Sequence, residues 1–240
     1  MTTDISETTL VEISQFFDRY HQLENELTIQ FEADFARLKD GYIPIFQQVL
    51  EEVRLTAPEY NVFSILGLER EEVHTHSAML ENLLNPKGSH GQQHLFLCSF
   101  LEYCAFAHKD FPIPSEDIAD GRWHVKSEEY TSYGILDILI QSPDLNSQYV
   151  IENKIDAPEE GTQLFRYGKW MESQKDEYSN QALVLLTIDG DESVSAKGIP
   201  YYSISYRRDI STWLRSTLHE IKASNVREVV SQYLSLIENL

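Results

Sequence analysis

Apolar residues along the first quarter of the chain recur at the spacing of an amphipathic helix. From residue 9 to 55 they lie three or four positions apart, which is typical of one buried helical face. The pair Asp40-Gly41 is typical of a helix end, and we expect a second helix from about Pro44 to Leu55. The pattern therefore predicts a helical extension of two or three segments over residues 1–58.

The pattern changes in the rest of the chain, where short apolar runs alternate with helical segments. The runs predict strands at 123–130, 134–141, 149–155, 182–188 and 201–206. The helical spacing predicts helices at 70–84, 94–106, 162–171, 210–218 and 226–238. The run at 182–188 is continuously apolar, which favours a buried strand parallel to 149–155. Residues 59–240 are thus expected to form an α/β domain with a central mixed sheet of about five strands flanked by helices.

Two of these runs, joined by the turn sequence SPDLNS, predict a β-hairpin that contains charged residues. A register that aligns Gln141 with Gln148 also places Asp137 opposite Glu152 on the neighbouring strand. Side chains alternate between the two faces of a strand, so Glu152 and Lys154 share one face. We therefore expect two carboxylates and an ammonium to meet in an otherwise apolar hairpin.

This combination permits two interpretations. Carboxylates placed in this way can share a divalent cation such as Mg²⁺, with Lys154 close to an attacking water or a phosphate. That arrangement suits metal-assisted phosphodiester hydrolysis. Alternatively, Lys154 neutralises Asp137 and Glu152 in a purely structural ion cluster, and the spacing leaves both interpretations open.

The residues of the hairpin resemble the PD-(D/E)XK nuclease superfamily. Its motif is an Asp, a turn of variable length and then Glu-x-Lys, which corresponds to Asp137 and Glu152-Asn153-Lys154. Upstream, the segments 72–77, 83–86 and 89–91 are similar to the "E…HS…LL.P…HG" block of bacterial members. Downstream, Gln163 and Tyr167 are similar to the Q-x-x-x-Y element on the following helix.

The resemblance implies a restriction-endonuclease-like core and a nuclease that uses Mg²⁺ or Mn²⁺, acting on DNA rather than RNA. It assigns metal binding to Asp137, Glu152, the main-chain carbonyl of Asn153 and an acid on the upstream helix, for which we choose Glu72 over Glu71 and Glu81. It assigns substrate positioning to Gln163, Tyr167 and the adjacent Arg166. Lys154 would assist the attacking water. Bacterial relatives are often associated with defence. One departure is that Gly134-Ile135-Leu136 precedes Asp137, where relatives often carry an Arg.

The charge of the chain complicates this hypothesis. The net charge is −20, and residues 1–60 contribute 12 acidic and 4 basic residues to it. Proteins that bind nucleic acid without specificity usually present a basic surface. We therefore expect activation by a partner, an oligomer or a ligand, with residues 1–58 as a possible site of homo-oligomer or partner contact. The alternative is a catalytically inactive protein on the same fold, such as an acidic inhibitor or a partner-recognition subunit.

Other sequence features predict the compartment and leave one further metal site open. No apolar run approaches the roughly 20 residues that span a bilayer, and the acidic, polar N-terminus lacks the features of a signal peptide, so we expect a cytoplasmic location. Cys98 and Cys104 are expected to be reduced. A zinc site is a third possibility, which would use His74, His76, His90 and His94. No cysteine or paired catalytic Glu completes a known zinc signature around them.

Overall fold

The computed structural model describes residues 7–240, and the chain separates into two compact units, residues 1–60 and residues 61–240. The first unit contains one helix, α1, which spans Glu7–Thr56 and is 50 residues long. The predicted break at Asp40-Gly41 is wrong, because α1 continues through both residues and through Pro44. Pro44 has no N–H and cannot donate the hydrogen bond of its turn. The turns on either side remain helical, so Gly41 and Pro44 weaken the helix locally without ending it.

A row of large apolar side chains follows one face of α1 at intervals of three or four residues. We call this row the α1 stripe, and it consists of Ile13, Phe16, Tyr20, Leu23, Leu27, Phe31, Phe35, Leu38, Tyr42, Ile45, Val49 and Val53. Each of these side chains is between 45% and 70% exposed. None of the helices between residues 7 and 240 combines the length and the apolarity that crossing a membrane would require.

The second unit is built on a five-stranded mixed sheet, which confirms the predicted α/β class. The strands are β1 (His124–Thr131), β2 (Gly134–Ser142), β3 (Ser147–Asn153), β4 (Asn180–Thr187) and β5 (Tyr202–Ser205), and they lie in that order across the sheet. Strands β1, β2 and β3 pair antiparallel, whereas β3, β4 and β5 pair parallel. The parallel pairing of β3 with β4 is the one that the apolar run at 182–188 predicts.

Helices cover both faces of this sheet. They are α2 (Val62–Ile65), α3 (Ala78–Leu84), α4 (Leu95–Ala107), α5 (Gln163–Glu172), α6 (Ser211–Thr217) and α7 (Ser224–Glu238). The larger core cluster packs α3, α4, α6 and α7 against one face, and a smaller cluster packs α5 against the other. The carboxyl ends of β3 and β4 lie between these layers, and the charged residues of the hairpin are located there.

The helix predicted from residue 70 to 84 differs from the observed one at its start. Residues Glu72–Ser77 form a π-helical turn before α3, and His76 N donates to the Glu71 carbonyl at 3.2 Å. A π-turn holds more residues than an α-turn and is frequent at functional sites. Glu72 and His76 therefore do not share a face as expected: Glu72 accepts from the main chain at Ile155, just after β3, while His76 is buried in the core.

The larger core cluster depends on Trp213, which is fully buried between Phe96 and Phe100. Its indole N–H donates to Ser99 Oγ at 2.9 Å.

We expect Trp213→Ala to lower the free energy of unfolding by about 3–5 kcal/mol, because it leaves a large cavity. Urea denaturation measures this loss. Val194→Ala, at a position that is 78% exposed, is the control and should change stability by less than about 0.5 kcal/mol. A loss below about 1 kcal/mol for Trp213→Ala would contradict its role in the core.

Candidate active site

The β2–β3 hairpin has the predicted register. Gln141 pairs with Gln148, and the ladder ends with Ile138 opposite Ile151. Asp137 and Glu152 are the next residues on their strands, so the two carboxylates lie side by side at the end of the ladder. Asp137 Oδ2 accepts a hydrogen bond from the main-chain N–H of Asn153 at 2.8 Å, which fixes the orientation of that carboxylate toward β3.

Glu152 is the most unusual residue of the site, because its carboxylate is completely buried. Lys154 Nζ lies 2.6 Å from Glu152 Oε1, and the two form an ion pair. The ammonium does not have the angles of a hydrogen bond, however, and neither oxygen of Glu152 has a hydrogen-bond partner. Buried polar atoms are nearly always hydrogen-bonded. The carboxylate is therefore short of hydrogen bonds, although its Oε1 is in contact with the Lys154 ammonium.

Burial and charge shift the pKa values of all three groups. The pKa of Glu152 is raised to about 8, first because burial disfavours the carboxylate and then because Asp137 is close. Burial also raises the pKa of Asp137, although its hydrogen bond from Asn153 and the charge of Lys154 oppose that shift. Burial lowers the pKa of Lys154, but the carboxylates around it outweigh burial and raise the pKa to about 12. Lys154 is thus a cation at neutral pH.

Glu72 reaches this site from the π-helical turn. Its Oε2 accepts from the main-chain N–H of Ile155 at 2.8 Å, and its Oε1 lies 3.7 Å from Lys154 Nζ. Lys154 is therefore held between Glu72 and Glu152. This hydrogen bond also joins the residue after Lys154 to the π-helical turn.

The side chain of Asn153 points away from the carboxylates and connects three elements of the core. Its Nδ2 donates to Ser77 Oγ at 2.9 Å and to the Glu72 carbonyl at 3.3 Å, and its Oδ1 accepts from the Tyr206 hydroxyl at 2.8 Å. Our sequence reasoning considered only the main-chain carbonyl of Asn153 and missed this network. Ser77 belongs to a motif of the upstream block, which was the one sequence signal that could have suggested a partner for Asn153.

Gln163 and Tyr167, at the start of α5, are also at the site but are buried. Gln163 Nε2 donates to the Tyr167 hydroxyl at 3.1 Å, and that hydroxyl donates to the Ile135 carbonyl on β2. Gly134, with φ +137°, allows the Tyr167 ring to approach, since a Cβ there would lie 3.1 Å from that ring. Burial first and Glu152 second raise the pKa of Tyr167 to about 12. These two side chains support the strand that carries Asp137, and their substrate role stays a prediction.

The cations around the site are paired with carboxylates of nearby loops. The pairs are Arg70–Asp156, Arg166–Glu160 and Arg207–Asp189. In each pair the side chains are at least 40% exposed, so water and ions reach them. Beside Lys154 lies a cleft of about 280 Å³, lined in part by Pro158, Thr187 and Asp189. Of the three pairs, only Arg207–Asp189 reaches this cleft, through Asp189.

The histidines considered for zinc do not form a metal site in the part of the chain that the structure describes. His76 is buried, with Nδ1 3.0 Å from the Tyr233 hydroxyl and Nε2 2.8 Å from the Glu69 carbonyl. His90 uses both ring nitrogens for the Asn85 carbonyl and the Gln92 N–H. His74 is exposed. Burial lowers the pKa of His76, which is therefore a neutral core hydrogen-bonder.

The residues of the hairpin fit a hard divalent cation. Glu152 has two buried oxygens without hydrogen bonds, and the Asp137 carboxylate is beside it. Between residues 7 and 240, no group of three His, Cys, Asp or Glu side chains is arranged to hold a metal, so Glu72 does not join the two acids in one cluster. Mg²⁺ commonly uses only one or two carboxylates, together with main-chain oxygen, water and substrate phosphate. Two acids are therefore a sufficient donor set.

Comparison with known proteins identifies the family. A sequence model of the PD-(D/E)XK nuclease superfamily matches residues 60–235, which is most of the chain and all of the second unit's sheet. No curated protein and no solved structure matches the chain. The matched region contains the hairpin, the π-helical turn and α5, and its strand order and mixed pairing agree with the expected fold. The chain belongs to the PD-(D/E)XK nuclease superfamily.

Proposed function

We propose that this protein is a divalent-metal-dependent nuclease that hydrolyses phosphodiester bonds in DNA. The observation that carries the proposal is the buried Glu152 carboxylate, which lies beside Asp137 and Lys154 and has no hydrogen-bond partner. Burial of charge is costly unless a partner or a metal compensates it. Because this site keeps a buried charge despite its free-energy cost, it suits a bound cation that takes part in the reaction.

In this proposal the residues have separate roles. Asp137, Glu152 and the main-chain carbonyl of Asn153 would hold Mg²⁺ or Mn²⁺, whereas Glu72, which lies outside this pair of acids, would position Lys154 instead of completing the shell. When bound there, the cation supplies Lewis-acid stabilisation of the charge that develops on the scissile phosphate. Lys154 is protonated, so it orients the attacking water by donating to it and stabilises negative charge on the phosphate.

The remaining positions are proposed to bind substrate. Arg166, in the first turn of α5, is partly exposed and is ion-paired with Glu160, so a phosphate that displaces Glu160 could accept from its guanidinium. Gln163 and Tyr167 support β2 behind Asp137. They would contact substrate once the hydrogen bond between their side chains is broken. A cytoplasmic location and a role in bacterial defence are extensions of the proposal that rest on the family resemblance.

Cleavage assays with site variants test the proposal. We expect Lys154→Ala and Asp137→Asn to lower Mg²⁺-dependent cleavage at least about 100-fold, because each removes a group that acts in the transition state. Supercoiled DNA, linear DNA, single-stranded DNA and RNA should be compared with Mg²⁺ and Mn²⁺. Lys169→Ala is the matched control, since Lys169 is an exposed lysine paired with Glu172 on α5. Equal cleavage by wild type and Lys154→Ala would mean that this site does not carry the activity.

The pKa shift of Glu152 predicts how stability depends on pH in the absence of metal. Its folded-state pKa is raised from an ordinary value of 4.5 to about 8, so the folded state binds the proton more tightly than the unfolded state does. Stability is therefore expected to fall as the pH rises from about 4.5 toward 8. Thermal denaturation in EDTA at several pH values measures this fall.

Glu152→Gln is the test variant for the same measurement. Because it removes a buried charge, we expect it to be more stable than wild type at pH 8 by about 1–2 kcal/mol in EDTA. Added Mg²⁺ should raise the melting temperature of wild type and leave that of Glu152→Gln unchanged. A wild type that Mg²⁺ does not stabilise, together with a destabilised variant, would favour a structural ion cluster.

The second candidate function is an inactive binding or regulatory protein on the same fold. It is favoured by the net charge of −20 and by the pairing of the arginines with acids near the site. It predicts a folded protein that binds neither Mg²⁺ nor Mn²⁺ and whose partner binding is unaffected by Asp137→Asn. Calorimetric metal titration of wild type and Asp137→Asn distinguishes the two functions.

The paired arginines give a test of nucleic-acid affinity. Asp156 accepts from Arg70 through both carboxylate oxygens, so a phosphate must displace this carboxylate to contact Arg70. We expect Asp156→Asn to tighten DNA binding by about threefold to tenfold at low salt and to steepen its salt dependence. Fluorescence anisotropy measures both. Asp176→Asn, an exposed acid on another loop, makes the same change in net charge and should have a smaller effect. Equal effects would mean that only net charge matters.

A further inference from the structure

The α1 stripe has no cover in its own unit, because the described part of that unit contains a single helix. Contiguous apolar patches larger than a few hundred Å² mark interaction sites. A helix of this length extends about 75 Å. A compact unit of roughly 180 residues is only about 40 Å across. Residues 61–240 could therefore cover about half of the stripe, whereas a second long helix could cover all of it.

The spacing of the stripe allows an antiparallel copy of α1 to match it. Leu27 and Phe35 are both four residues from Phe31, and Tyr20 and Tyr42 are both eleven residues from it. The other stripe positions from Ile13 to Val49 match their opposites about Phe31 to within one residue, and Val53 has no counterpart in the stripe. If Phe31 faces Phe31 of a second, antiparallel copy, apolar residues meet along the stripe from Ile13 to Val49. A parallel copy would also align the stripe, so spacing alone does not select the orientation.

A charged residue inside the stripe selects the orientation. Glu24 lies four residues after Tyr20 and three before Leu27, so it is on the same face, and it is ion-paired only with the exposed His21 at 3.5 Å. A parallel copy would bring Glu24 against Glu24. In an antiparallel copy centred on Phe31, Glu24 falls beside Lys39 of the second copy, and opposite charges at such positions favour pairing.

A second pair of charges agrees with the antiparallel orientation. Arg37 lies six residues after Phe31 and Glu26 five residues before it, so each is brought near the other in the second copy. Within one chain Arg37 contacts Asp34 through an exposed ion pair, which is weak enough to be exchanged. Two like-charge placements oppose this orientation: Glu32 lies near its own copy at the centre, and Glu12 falls beside Glu51 of the second copy.

The area of the stripe is sufficient for a stable interface. Five of its members are aromatic, and a buried aromatic side chain covers about 150–250 Å². Burying half of each ring in two copies would therefore remove on the order of 1,000 Å² from water. With the aliphatic members added, the interface passes the roughly 1,200 Å² at which standard stable interfaces begin.

We propose that α1 forms an antiparallel homodimer through the α1 stripe, with a second copy of this chain as the partner. Phe31 lies at the two-fold axis, and the two copies of residues 61–240 are attached to opposite ends of the helix pair. The proposal does not depend on nuclease activity.

Light scattering on the full chain tests the dimer. We expect twice the chain mass of 27.8 kDa for wild type at micromolar concentration. Phe35→Glu, which puts charge into the stripe opposite Leu27, should weaken the dimer at least tenfold. Ile29→Glu is the matched control: Ile29 is an exposed apolar residue two positions before Phe31, on the other face of α1, and its change should leave the mass unchanged. Circular dichroism checks that both variants remain helical. A monomeric wild type would overturn the proposal, because the stripe would then be covered by its own chain or by another protein.

Cysteine cross-linking tests the orientation, in a Cys98→Ser background in which the remaining Cys104 is buried. Phe31→Cys should form an intermolecular disulfide by itself, since the two Cα atoms meet at the axis. Ile13→Cys and Val49→Cys are about 54 Å apart along one helix. Each should therefore stay unlinked alone and cross-link only when the two proteins are mixed. Cross-linking of Ile13→Cys with itself would indicate a parallel dimer and overturn the antiparallel arrangement.

Discussion

The second unit depends on the compensation of charge that is buried in the middle of an apolar sheet. Asp137 and Glu152 lie at neighbouring positions on two strands, where like charges repel, and burial penalises both of them. Lys154 supplies one positive charge to this group, at 2.6 Å from Glu152. One negative charge remains uncompensated when both acids are ionised. A divalent cation would resolve this imbalance, and Lys154 is the cation that the part of the chain described by the structure pairs with Glu152.

Hydrogen bonds from the main chain hold the charged groups in position. The main-chain N–H groups of Asn153 and Ile155 donate to Asp137 and Glu72, so backbone geometry fixes the two outer carboxylates. Behind them, the side chain of Asn153 joins β3 to the π-helical turn and to Tyr206. π-helical turns are rare and often lie at functional sites. The position of this turn next to the charged hairpin therefore suits a functional role rather than a contribution to stability.

Acidic side chains have different contacts in the two units. In residues 61–240 the carboxylates of surface loops are paired with the arginines around the hairpin, so any phosphate would have to compete with these acids. In α1 the acids surround an apolar stripe, and their positions decide which orientation of a second helix is tolerated. A dimer would also place two acidic units at a distance from each other, which reduces their mutual repulsion.

The sequence by itself determined the local features, because they depend on short-range periodicity. The register of the β2–β3 hairpin, the shared face of Glu152 and Lys154 and the parallel pairing of β3 with β4 all follow from alternation, turn composition and an apolar run. Tertiary structure decided what periodicity does not encode. The π-helical turn separates Glu72 from His76, the continuation of α1 through Pro44 overrides a local stop signal, and the contacts of Asn153 depend on residues far away in the chain. Burial likewise left both oxygens of Glu152 without hydrogen bonds, since only packing from several elements excludes water there.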